Sequence, residues 1–177
     1  MKFEAEISEC ENYRYSLTRE WDETKGKALF IMLNPSTACD ESNDLTTIRC
    51  INYAKRWGYG GITIGNLYPY RAKRPKHLKR WIKEYKYDSK FHKSYNQGRV
   101  TELIENADLT VCAWGCNYPG VPNWLKELKD LHYLELCDDG ITPKHPLGNL
   151  SKDLVPIPFP FNYSRWINYK LNTITDG

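Results

Sequence analysis

Four apolar runs in this chain each end in residues whose side chains or backbone can do chemistry. Phe30-Ile31-Met32-Leu33 breaks into Asn34-Pro35-Ser36-Thr37, and Ile62 to Gly65 ends at Asn66. Leu109 to Ala113 ends in Trp114-Gly115, and Tyr133 to Cys137 leads to Lys144-His145-Pro146-Leu147-Gly148. An asparagine amide carries a donor and an acceptor together, the pattern needed to read a nucleobase edge. In open α/β sheets, ligands bind just outside the carboxyl ends of the strands. If the runs are strands of one sheet, Asn34 and His145 face each other across one pocket. Each piece alone has an ordinary reading. Asn-Pro-Ser-Thr is a turn by composition, and a loop histidine needs no function.

The elements that must position these residues alternate. Lys27 to Leu33 is a continuous apolar run, as in a strand buried on both faces. Asp44 reads as the N-cap of a helix through Trp57, with Ile48, Ile51 and Ala54 at helical spacing. Glycines 58, 60 and 61 end it. Strand Ile62–Gly65 follows, then a basic segment that is helical around His77 to Tyr85. Asn96 or Gln97 begins a helix carrying Val100, Leu103, Ile104 and Ala107. After strand Leu109–Ala113, Pro122 opens a helix with Leu125, Leu128 and Leu131 on one face. Strand Tyr133–Cys137 completes the set. The expectation is an α/β three-layer sandwich with a mainly parallel four-stranded central sheet, a single domain over residues 1–177. The Pro- and aromatic-rich chain after His145 is expected to wrap the core.

Composition narrows the function. Lys plus Arg number 25 against 22 Asp plus Glu, a net charge of +3. The charge is uneven: Arg71 to Lys93 holds ten basic residues against Glu84 and Asp88. A localised basic stripe points to a polyanion, although a solvated helix face has the same composition. No signal peptide and no long apolar stretch is present, so a cytoplasmic protein with no membrane partner is expected. Of the six cysteines, none forms a Cys-x-x-Cys pair. No metal or other cofactor is expected, the thiols are expected free, and Cys112 and Cys137 read as small core residues.

The ordered strand ends resemble the uracil-DNA glycosylase superfamily. Leu33-Asn34-Pro35 is similar to the Asn-Pro motif of its mismatch-specific branch, which positions the hydrolytic water. Ile64-Gly65-Asn66 is similar to its base-reading strand, and Ala113-Trp114-Gly115 to its third strand end. Lys144-His145-Pro146-Leu147 is similar to its final loop, whose His stabilises the departing base and whose Leu wedges into the duplex. This chain lacks the Ser-Pro found there between Pro and Leu. Nearly the whole chain resembles a bacterial and phage family, domain of unknown function 1643. The pieces are Tyr13-Arg14-Tyr15-Ser16-Leu17-Thr18-Arg19, Met32 to Ala38, Asp44 with Thr47 and Arg49, Gly65-Asn66-Leu67-Tyr68-Pro69, Ala113-Trp114-Gly115 and Lys144 to Leu147.

The resemblance implies a uracil-DNA-glycosylase-like fold and hydrolysis of the N-glycosidic bond of a pyrimidine in DNA. Asn34 would orient water, with Asp40 or Asp44 as carboxylate acceptor. Asp44 has a second reading, as a plain helix cap or a partner of Arg49. His145 would donate to the base oxygen as charge develops there. Asn66, Pro35, Ser36 and Trp114 would bind the base. Arg71, Lys73, Arg74, Lys79, Arg80 and Lys83 would meet phosphates, with Leu147 at the base stack. Where the strict uracil-excising branch has a Tyr that blocks pyrimidine C5, this chain has Ser36, so a base enlarged at C5, as in modified phage DNA, is expected to fit. The partner is single- or double-stranded DNA, and the protein a monomer. Two other classes share the residues: an enzyme of free nucleosides or nucleotide metabolites, and a non-catalytic nucleic-acid-binding module in phage–host conflict.

Overall fold

The computed structural model describes residues 1–36, 42–72, 74–84, 87–118, 120–128, 130–151 and 154–159, with only the backbone at 87–89. Its strands are β1 (Lys2–Ile7), β2 (Arg14–Glu20), β3 (Lys27–Met32), β4 (Gly61–Asn66), β5 (Leu109–Cys112), β6 (Leu131–Tyr133) and β7 (Ile157–Pro158). Its helices are α1 (Leu45–Arg56), α2 (Pro75–Lys83), α3 (Tyr87–Glu105) and α4 (Asn123–Lys126). The strands form one sheet in the order β1-β2-β4-β3-β5-β6-β7.

Three of the expected strands are β4, β3 and β5, in the parallel middle of this sheet with β3 at its centre; the fourth, expected over Tyr133–Cys137, is corrected to β6 at Leu131–Tyr133, which continues the parallel set and shares only Tyr133 with the expected run. The expected four-stranded, mainly parallel sheet is nevertheless corrected to a mixed one of seven. Antiparallel β2 and β1 extend one side, and antiparallel β7 closes the other. Two helix boundaries also move. α3 begins at Tyr87, not near Asn96, so the second half of the basic segment is its first turns. Leu131 leaves the short α4 and starts β6.

Strand parity divides the core into two layers. Ala28, Phe30, Met32, Ile62 and Ile64 pack with Cys50, Ile51, Tyr53 and Ala54 of α1. Leu29, Ile31 and Cys112 pack on the opposite face with Leu78 of α2, Val100 of α3 and Leu125 of α4. Gly65 belongs to this second face, where an added Cβ would already touch Val100 and Leu103 at 3.5 Å. Of the chain after His145, the described residues 146–151 and 154–159 lie along the core, and residues 160–177 lie outside the described residues. Leu150 and Leu154 cover the α1 face, the Trp57 indole N–H donates to the Leu154 carbonyl at 2.9 Å, and Phe159 reaches the other face. Among the described residues no helix is long and apolar enough to cross a membrane.

Candidate active site

Asn34, Pro35 and Ser36 leave the carboxyl end of β3, and the N-terminus of α1 returns beside them. Asp44 caps that helix, its carboxylate accepting from the Thr47 amide at 2.7 Å. The cap is not all it does. Burial opposes the charged carboxylate, but the Thr47 amide and hydroxyl, the Ser36 hydroxyl and the Arg14 charge outweigh burial and hold Asp44 below its ordinary value. Asp44 therefore gathers Ser36 from the β3 turn and Arg14 from β2. It does not gather Arg49, which forms no ion pair among the described residues.

Arg14 reaches this layer through a slip in the β1–β2 ladder. Ser16 pairs with Glu6, but Ile7 pairs with Arg14, so Tyr15 is an extra residue between them. Without the slip, Arg14 would share a face with Ser16 and Thr18. With it, Arg14 joins Leu17 and Arg19 on the α1 face, 4% exposed. Arg19 is fully buried on the same face, donating to Asn43 at 2.8 Å, directly before the cap.

His145 meets the same group. Burial pushes its pKa below the usual histidine value, and the Asp44 charge partly restores it. The ring is therefore neutral at pH 7. Its Nδ1 accepts from the Leu147 amide at 3.1 Å, which leaves the proton on Nε2 and makes that atom a donor. The loop is built to hold this posture. Lys144 bonds Glu135 through its Nζ at 2.9 Å and through its amide at 2.9 Å. Gly148 closes the turn onto the His145 carbonyl at 2.7 Å, where an added Cβ would come within 2.9 Å of that oxygen. Leu147 sits at the tip, 45% exposed.

Asn66 ends β4, level with Met32 in the ladder and on the α1 side by parity with Ile62 and Ile64. It is 1% exposed. Among the described residues neither its Oδ1 nor its Nδ2 has a hydrogen-bond partner. Its backbone is pinned from the other layer, where the buried Asn96 of α3 donates to the Asn66 carbonyl at 2.9 Å. An unmet donor and acceptor side by side on one amide is the pattern that a planar ligand with the complementary edge would satisfy.

Trp114 is a correction. Its ring is 2% exposed and packs in the α2–α3–α4 layer, its indole N–H donating to the Gly120 carbonyl at 3.2 Å. Position after a strand places the residue at the sheet edge, but parity turns the side chain away. Gly115 carries the contact in its stead: at φ +86° its Cα side lies against His145, and an added Cβ would be 3.1 Å from the His145 Cβ. The expectation of free thiols is also corrected for one pair. Cys116, just after Gly115, is disulfide-bonded to Cys137, just before the His145 loop, with their Cα atoms 5.8 Å apart. Separation by 21 residues hid a pair that the fold brings together. Cys112 is a buried free thiol, as expected, and burial pushes its pKa well up.

The basic segment divides. Arg74, at the N-cap of α2, and Lys79 and Lys83 within it are exposed, while Arg80 is paired with Glu84 at 2.7 Å. Arg71 is tied to the Glu11 carbonyl at 3.0 Å, and Trp81 stacks inward on Tyr70 at 5.5 Å. Asp40 and Lys73 lie outside the described residues. No group of three or more His, Cys, Asp and Glu side chains suited to a metal is present among the described residues.

The chain belongs to the family described as protein of unknown function, DUF1643, whose model matches residues 14–147. That span begins at Arg14 and ends at Leu147, so it takes in every residue of the site. No curated protein and no solved structure matches the chain.

Proposed function

We propose that the chain is a DNA N-glycosylase that removes a pyrimidine enlarged at C5. The observation that carries the reading is the Asn66 amide at the carboxyl end of β4, buried and without a partner at both atoms among the described residues. Leaving such groups unmet costs on the order of 1–3 kcal/mol each, which a base edge offering an acceptor and a donor would recover. In a duplex the base must first turn out of the stack to reach them.

In the reaction the C1′–N1 bond breaks and its electron pair stays on the base. His145 Nε2–H donates to the base oxygen where that charge collects, and the neutral ring avoids the desolvation of a buried cation. A water held between Asn34 and the Asp44 carboxylate attacks C1′. Its oxygen joins the sugar, and the released proton passes to the carboxylate and on to solvent. The Thr47 amide and hydroxyl and the Ser36 hydroxyl, helped by the Arg14 charge, keep Asp44 ionised for that role. Ser36 is the wall beside C5. Its small side chain, turned to Asp44, leaves room for a substituent there.

The test compares oligonucleotides carrying uracil, thymine, 5-hydroxymethylated and glucosylated pyrimidines, scored for alkali-labile abasic sites. Cleavage of C5-substituted substrates, lost in Asn66→Ala and Asn34→Ala, is expected. Activity on plain uracil alone would overturn the open-pocket argument.

A further inference from the structure

The excision reading leaves open what grips the strand around the extruded base, and the inference here rests on that reading. We propose that the exposed side of α1 is a DNA-binding face, with Leu45 and Ile48 as an apolar tip against the base stack and Arg49, Lys55 and Arg56 on the phosphates. Leu45 is 72% exposed and Ile48 42% exposed, in the first turn after Asp44. Leu147 is exposed in the turn of His145, whose ring feels the Asp44 charge. Single exposed leucines are ordinary, but here Leu45 and Ile48 follow Asp44 in the first turn of α1, and Leu147 lies two residues after the His145 that Asp44 faces.

Helical geometry extends the tip into a stripe. At 100° per residue, positions 45, 48, 49, 52, 55 and 56 fall within an arc of about 120°, and all six are exposed. From Leu45 to Arg56 the chain contains three cations and no acidic residue. The stripe is about 16 Å long, enough to follow on the order of five nucleotides of one strand. Lys55 is steadied over the Trp21 ring at 5.3 Å. Glu135, whose charge reaches Tyr53 of α1, is already held by Lys144 and by the Ser151 amide at 2.8 Å. A polyanion carrying flat apolar rings matches this order of chemistry, apolar at the pocket and cationic away from it. α2, with the larger local charge, packs on the opposite layer from Asp44.

The test measures binding of the full chain to a fluorescent duplex with a central abasic analogue and to the same duplex fully paired, over a salt series. Arg49→Ala/Lys55→Ala/Arg56→Ala should weaken both by tenfold or more near 0.1 M salt and lower the salt slope by about 2–3. Leu45→Ser/Ile48→Ser, both surface changes, should weaken the abasic duplex selectively. Unchanged affinity and slope in the triple variant would overturn the inference, as would a loss confined to Lys76→Ala/Lys79→Ala/Lys83→Ala on α2; in either case the excision reading stands. A wild-type chain that binds neither duplex would remove both.

Discussion

Asp44 caps α1 and places a negative charge that acts on His145, and substitution separates the two. Asparagine caps a helix about as well as aspartate, whereas alanine does not. Asp44→Ala loses the 2.7 Å bond to the Thr47 amide, about 1 kcal/mol, and a negative charge at a helix N-terminus, about 0.3–1 kcal/mol. Asp44→Asn loses only the charge. At pH 7 the expected costs are therefore about 1.3–2 kcal/mol for Ala and about 0.3–1 kcal/mol for Asn, read by urea denaturation. The sign with pH follows from the lowered pKa of Asp44. Its charge stabilises the fold fully above the unfolded value near 3.8, and that stabilisation fades as pH falls through the folded value. The gap between wild type and Asp44→Asn should thus close in acid. His145 gives the second readout. Burial lowers its pKa and Asp44 raises it, so Asp44→Asn should drive its NMR titration midpoint further below 6.5. Its lowered pKa also makes stability fall as pH drops from about 6.5 toward the folded value. Equal costs for Asn and Ala, with an unmoved His145 titration, would refute the placement of this carboxylate against His145.

Gly115→Ala should cost about 1–3 kcal/mol in thermal or urea unfolding, because φ is +86° and the new methyl meets His145 Cβ at 3.1 Å. Breaking the Cys116–Cys137 link with Cys116→Ser should cost about 3 kcal/mol for its 21-residue loop, and non-reducing mass spectrometry should show the wild-type chain two hydrogen atoms lighter than its reduced form. Asn96→Leu should lower base discrimination in the oligonucleotide comparison more than DNA affinity, since Asn96 touches the Asn66 carbonyl and no part of the surface.

β3, β4 and β5 were legible because each sits in a mostly apolar run, whereas β6, Leu131-His132-Tyr133, starts two residues before the run that was read as its strand. β2 was not legible, although it lies deep in the sheet. Its Arg14, Arg19 and Glu20 read as surface residues, and only the fold supplies their partners: Asn43 and the Thr18 carbonyl for Arg19, Lys27 for Glu20. β1 is an exposed edge strand with no buried alternation to detect. Asn34, Asn66 and His145 could be picked out by their position behind those runs. Arg14 could not, since its face depends on a one-residue slip in pairing. Trp114 shows the converse error: a strand end fixes where a residue sits but not which way it points.

The central claim is that this pocket releases a base from DNA. Mass spectrometry of the free bases liberated from unmodified and hypermodified phage DNAs tests it most directly. A C5-substituted pyrimidine, released by the wild-type chain and not by Asn34→Ala or His145→Ala, is the predicted result. DNA bound but no base released from any of these DNAs, or release only from free nucleosides, would contradict it.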